Sequence, residues 1–270
     1  MNKTKMWIAG SLFLMLIGIG VACSVVPITG RRQFNLIPDS EMMSMSFTQY
    51  DAFLKENKLS TNAQQTSMVK RAGTNISTAV ENYFNAKGWS SQLDKFQWEF
   101  NLVDDEAVNA WCMPGGKVVF YTGIIPLCKD ETGIAVVMGH EIAHAVAKHG
   151  NERMSQQLGV QAGAVALSVL LSEKPQETQN LFMSAYGVTS NVALILPYSR
   201  AHEYEADRLG LIFMAMAGYD PSVAVDFWTR MSSLSSGSSV PPFLSTHPSD
   251  EARIKNLQKV LPEALTYYKK

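Results

Sequence analysis

Apolar residues fall at helical spacing along residues 39–57, where Met42, Met45, Phe47, Tyr50, Phe53 and Leu54 share one face behind an Asp39-Ser40-Glu41 start. A second helix is expected over 60–87, with Met68, Ala72, Ile76, Ala79, Val80 and Tyr83 on its stripe. From Phe96 the period drops to two, and residues 96–103 alternate apolar and polar side chains as a half-buried strand does. Turn residues at 104–106 and 114–116 separate two further short strands, 108–113 and 117–121, so a small antiparallel sheet is predicted. Residues 133–150 are apolar and small on nearly every side, the pattern of a helix running through a core. The apolar runs 160–171 and 179–196 read as too short to span a bilayer and are expected to pack in the core. Helices over 199–217, 222–234 and from 248 or 249 to about 267 complete a mostly helical α+β chain. Nothing in the pattern divides residues 39–270, which read as one domain.

The buried helix carries the first candidate chemistry, His140-Glu141-Ile142-Ala143-His144. Residues four apart on a helix lie nearly over one another, so both imidazoles can converge on one ion. Neutral imidazole nitrogens suit Zn²⁺, and Glu141 between them is placed to take a proton from a metal-bound water. A catalytic zinc site needs a third protein ligand and an open fourth position. The metzincin spacing demands Gly at 147 and His at 150, whereas the chain has Ala147 and Gly150, so that class is excluded. His149 lies five positions past His144, about 140° round a continuous helix, and is expected to face away.

Ser199 to Asp207 (SRAHEYEAD) offers the better third ligand. Glu203 and Asp207 are four apart on one face, so one carboxylate can bind the ion while the other orients a ligand imidazole. Arg200 is one turn earlier and can balance their charge, and the small Ala201 and Ala206 permit close helix packing.

Formal net charge is -1, with 23 basic against 24 acidic residues, so no basic surface points to nucleic acid. The first 22 residues read as a signal peptide of lipoprotein type, with Lys3 and Lys5 before an apolar stretch and Cys23 as the lipidated first mature residue; an uncleaved N-terminal anchor is the alternative. Residues 23–38 then form a tether, and the expected location is the periplasm, lipid-anchored to the outer membrane in preference to the inner. Cys112 and Cys128 can pair there or remain buried thiols.

His140-Glu141-Ile142-Ala143-His144, the SRAHEYEAD segment, Asn109 to Gly116 (NAWCMPGG) and Ser245-Thr246-His247-Pro248 together resemble the landmarks of metallopeptidase family forty-eight. The resemblance implies a zincin-type (gluzincin) fold with its sheet beside the active-site helix. It implies one Zn²⁺ held by His140, His144 and Glu203, with Glu141 as general base and Asp207 behind a ligand histidine. His247 is implied as the group that meets the tetrahedral oxygen, and it can also fill the fourth zinc position at rest; the bare alternative is that Thr246-His247-Pro248 caps the last helix. Asn109 and Ala110 sit on the strand expected to bind a peptide main chain, for which a turn-capping Asn109 is the alternative. The implied function is a zinc metalloendopeptidase that trims misfolded or misassembled envelope proteins in periplasmic quality control. The competing readings are a hydrolase of non-peptide amides and a chaperone-like lipoprotein with a regulatory zinc site.

Overall fold

A computed structural model describes residues 23–172, 174–190, 196–234 and 240–269. The expected signal peptide, residues 1–22, lies outside them, as do residues 235–239 of the loop before His247. Where one domain is expected over 39–270, the chain divides into two compact units, one joining the stretch up to Asp39 with Asn151–Ile195 and the other Ser40–Gly150 with Leu196–Lys270.

The larger unit is built around one helix. Helices α1 (Asp39–Glu56) and α2 (Ala63–Ala86) come first, α2 capped by the Asn62 side chain, which accepts from the Gln65 amide. The buried stripe of α2 is Val69, Ala72, Ile76, Val80 and Phe84, one position round from the expected one at both ends. Helix α3 (Glu131–Val146) starts where Asp130 accepts a hydrogen bond from the Gly133 amide. Every residue of α3 from Gly133 to Val146 is buried, as the all-round apolar pattern requires.

The sheet is mixed, which corrects the antiparallel expectation. Strand β5 (Lys117–Tyr121) lies in the centre, antiparallel to β4 (Ala110–Met113) and parallel to β3 (Glu99–Val103). The turn between β4 and β5 needs φ of +85° at Gly115 and +89° at Gly116, which only glycine adopts freely. Strand β5 is the return strand of that hairpin, and β3 adds to its far side and runs parallel to it, with Glu99 opposite Lys117 in a 3.1 Å ion pair. Edge strand β4 is thereby left beside α3.

Past α3 the larger unit continues with α6 (Leu196–Met216), α7 (Val223–Ser233) and α8 (Glu251–Leu265). Helices α3 and α6 meet at Gly139 and Gly210: a Cβ on Gly139 would stand 2.6 Å from the Gly210 carbonyl oxygen, and one on Gly210 would stand 2.8 Å from the His140 amide nitrogen. Only glycine permits backbones this close, and the closeness sets the distance between the catalytic-looking side chains of the two helices.

In the smaller unit, β1 (Cys23–Val25) and β2 (Arg32–Phe34) pair antiparallel. The expected tether is held to the start of helix α4 (His149–Leu171). Arg31 makes a two-bonded pair with the Glu152 carboxylate (3.0 and 2.7 Å), and the Leu36 amide donates to Ser155 Oγ (2.8 Å). Helix α5 (Gln176–Ser190) lies against α4, with Tyr186 donating to the Val160 carbonyl at 3.0 Å beside Gly163. The expectation that these apolar runs fill the core is overturned: Val165 is 65% exposed, Val169 68%, Leu170 78% and Leu181 68%. Among the described residues α4 is the one helix long and apolar enough to cross a membrane.

Candidate metal centre

His140 and His144, one turn apart on α3, bring their Nε2 atoms to 3.0 Å. From α6, Glu203 sets Oε2 3.3 Å from His140 Nε2 and Oε1 3.4 Å from His144 Nε2. In a tetrahedral zinc site with bonds of about 2.0–2.2 Å the donors stand about 3.3–3.6 Å apart, so this trio is spaced as one face of such a site. His247 enters from the turn before α8, its Nδ1 3.2 Å from His140 Nε2 and 3.1 Å from Glu203 Oε2. All four residues are buried, with ligand atoms within 4.8 Å of one another, and they form a group that could hold a metal ion. Buried imidazoles and a carboxylate so close, in an otherwise apolar core, are costly unless a cation neutralises them.

Charge in the cluster points the same way. Burial alone would depress the His140 imidazole, but hydrogen bonds to Asp207 and Glu203 outweigh it and push it up to about 9. Burial likewise works against Glu203, yet the facing His247 and His144 hold its carboxyl well below the usual range. For His144 burial wins, and its imidazole stays neutral well below its ordinary value. A net demand for positive charge, met by a proton or a metal ion, is therefore built into the pocket.

Behind the donors stands an ion pair. His140 Nδ1 lies 3.1 Å from Asp207 Oδ1, which leaves Nε2 for the ion. Arg253 of α8 donates to both Asp207 oxygens at 2.8 Å, reaches Glu203 Oε2 at 3.1 Å and stacks over the Trp228 ring at 3.6 Å. It also donates to the carbonyls of His247 and Pro248 (3.2 and 3.1 Å), so it ties the turn bearing His247 to the centre. Arg200, expected to balance Glu203, is exposed; the cation beside Glu203 is Arg253. Nothing local in the sequence distinguishes Arg253 from a solvated helix arginine.

Glu141 points to the same centre from between the two histidines. Burial raises its carboxyl above the usual range, and the backbone of Cys112 on β4 hydrogen-bonds it. Its Oε1 is buried without a hydrogen-bond partner, 3.5 Å from His247 Nε2, as a group awaiting a water or substrate proton is. The cap of α8 is Asp250, which accepts from the Arg253 amide, so His247 does not serve as that cap. Asn109 is half-buried just before β4 and caps the Ala110 amide with its own Oδ1 at 3.0 Å, while Ala110 is buried. Cys112 and Cys128 are free thiols, and Cys23 begins β1. His149, expected to face away, instead packs against His144 with its Nδ1 2.8 Å from His144 Nδ1.

Fold and donor set define the class: a helical metallohydrolase of the zincin type. Residues 71–261 match peptidase family M48, and the chain belongs to that family, whose enzymes use zinc. It is 32% identical over 271 residues to the mitochondrial metalloendopeptidase OMA1 of Schizosaccharomyces pombe, covering 97% of this chain and 74% of the relative. Identity with human OMA1, a mitochondrial metalloendopeptidase, is 28% over 273 residues, 98% of this chain and 51% of that one. With the beta-barrel assembly-enhancing protease of Escherichia coli K12 it is 28% over 165 residues, 59% of this chain and 34% of the relative. The chain thus spans about half the human protein and a third of the bacterial one. These matches overturn the expected periplasmic, outer-membrane address, because the OMA1 relatives, from fission yeast to human, are mitochondrial by name.

Proposed function

We propose that this chain hydrolyses internal peptide bonds, with His140, His144 and Glu203 holding zinc, Glu141 as general base and His247 as the group that meets the developing oxyanion. Zinc, when bound, supplies a Lewis acid that makes a water nucleophilic near neutral pH and polarises the scissile carbonyl. Glu141 accepts the proton of the attacking water and passes it to the leaving amine nitrogen, a task suited to a carboxyl raised by burial. His247 Nε2, on the side of the ring facing Glu141, is placed to donate to the tetrahedral oxygen. Asp207, itself fixed by Arg253, keeps the His140 proton on Nδ1. Edge strand β4 lies beside α3, where a substrate main chain can add as a further strand with Asn109 at its head.

The observation that carries this reading is the unpartnered Glu141 Oε1 beside a donor trio spaced for zinc. A structural zinc site has no need of that carboxylate. Glu141→Gln is expected to keep its zinc and to lose casein cleavage. The position of His247 Nδ1 among the donors favours a second reading, a zinc-regulated binding protein with a four-donor site, or an enzyme gated by that imidazole. A parent protein that binds zinc and never cuts, even as His247→Ala, decides for the binding protein.

Substrates at a membrane surface fit the chain best, which supports turnover of misfolded or misassembled proteins there. The support is the apolar stretch of residues 6–21, attached to a membrane directly or through a lipid on Cys23, and the exposed apolar faces of α4 and α5. Intact-mass measurement of the N-terminal peptide decides whether residues 1–22 are removed and Cys23 carries lipid.

A further inference from the structure

Between α3 and α4 the backbone does something that the helical extrapolation through His149 misses. Helix α3 ends at Val146, Lys148 takes φ of +56°, and His149 opens α4. A lysine meets a steric penalty in the left-handed region, which its surroundings must offset. The turn swings His149 back towards the centre, where it is 1% exposed and stacks on His202 at 4.3 Å.

We propose that His149 and Glu205 are positioning residues that set which nitrogen of His144 faces the metal. His149 Nε2 lies 2.9 Å from Glu205 Oε2, and His149 Nδ1 lies 2.8 Å from His144 Nδ1. An ionised carboxylate only accepts, so His149 carries its proton on Nε2 and donates it to Glu205. With its proton on Nε2, His149 presents Nδ1 as an acceptor. Two ring nitrogens in contact need one proton between them, and that proton sits on His144 Nδ1. His144 Nε2 is left with its lone pair directed at His140 and Glu203. The opposite tautomer would place a hydrogen on Nε2 and close the position to a metal. Glu205 therefore acts on His144 through one intervening ring, as Asp207 acts on His140 by direct contact. Glu203, Glu205 and Asp207 occupy successive odd positions of one helix, so α6 supplies the third donor and orients both of the others.

This inference rests on the zinc reading above, and its test is chosen to stand apart from catalysis. Zinc affinity of the folded protein is measured by competition with a chromophoric chelator for the parent, Glu205→Gln, Glu205→Ala, His149→Ala and the double alanine variant. Outer partners of metal-bound histidines are typically worth 10- to 100-fold in affinity, and a loss of that size is expected in either alanine variant. Glu205→Gln, whose carbonyl still accepts from His149 Nε2, is expected to lose less. The double variant is expected to bind zinc no worse than His149→Ala, because the two residues act in series. Parent-like affinity in both single alanine variants, or losses that multiply in the double variant, overturns the relay. Should an alanine variant fail to fold, the Glu205→Gln affinity together with the tautomer of His144, read from imidazole ¹⁵N shifts of the zinc-loaded protein, decides in its place. A parent that binds zinc without cleaving anything, even as His247→Ala, refutes the peptidase reading and leaves this result intact.

Discussion

Helices α3 and α4 follow one another in the chain, both carry long apolar runs, and they end in opposite settings. From Gly133 to Val146 α3 is buried throughout, whereas Val165, Val169 and Leu170 of α4 are 65%, 68% and 78% exposed. Hydropathy records how much apolar surface a helix has and is silent on what that surface faces. What separates the two is the polar residues among the apolar ones. His140, Glu141 and His144 cannot lie in a core without partners, so α3 implies other elements that bring a carboxylate and a cation to it. Gln161 and Ser168, the polar residues within the apolar run of α4, are exposed and make no such demand.

Substitutions in the two helices should therefore differ in kind and size. The largest effect is expected for His140→Ala, which removes a donor and leaves Asp207 with Arg253 alone: zinc binding is lost, peptide cleavage falls by more than about 10³-fold, and chelation no longer lowers the melting temperature as it does in the parent. Equivalent removal of an α4 side chain, Val169→Ser, leaves zinc content unchanged. Next in size is Asp207→Ala, which leaves the buried Arg253 guanidinium without its two-bonded carboxylate; breaking such a pair costs about 3–5 kcal/mol, read by urea unfolding. Full stability in that variant would mean that the ion pair does not anchor the centre.

Matched glycine substitutions sharpen the contrast further. Gly139→Ala drives a methyl into the Gly210 carbonyl and is expected to destabilise by about 1–3 kcal/mol, whereas a Cβ at Gly159 of α4 meets nothing within 4 Å, so Gly159→Ala is neutral or stabilises by up to about 1 kcal/mol. Equal costs at both positions would break the comparison. The smallest effect in solution is expected for Leu170→Ser, within about 0.5 kcal/mol of the parent. Its signature lies elsewhere, in weaker retention on sedimented lipid vesicles.

Much of this was legible in advance. The strand 117–121 follows from local pattern, and a centre of His140, His144 and one carboxylate of the Glu203/Asp207 pair follows from four-residue spacing plus the need for a third donor, whereas the choice of Glu203 comes from the family resemblance. The order of the sheet was not, because only the pairing of β3 with the far side of β5 makes it mixed, and that contact is non-local. Arg253 was illegible for the same reason: its meaning comes from Asp207 and Trp228, distant in the chain and in contact in the fold. His149 was misplaced by extending a helix through Lys148, whose left-handed backbone has no local signal such as glycine or asparagine. The burial of α4 was misjudged because an apolar run has the same appearance whether it faces a protein or something else.

One measurement bears on the central claim most directly: zinc content and casein cleavage of the chain beside its Glu141→Gln variant, purified alike. The account predicts one zinc in each, cleavage in the parent, and a loss of more than about 10³-fold in the variant, whose carboxamide cannot take the proton. A Glu141→Gln protein that cuts as fast as the parent, or a zinc-loaded parent that never cuts, even as His247→Ala, contradicts it.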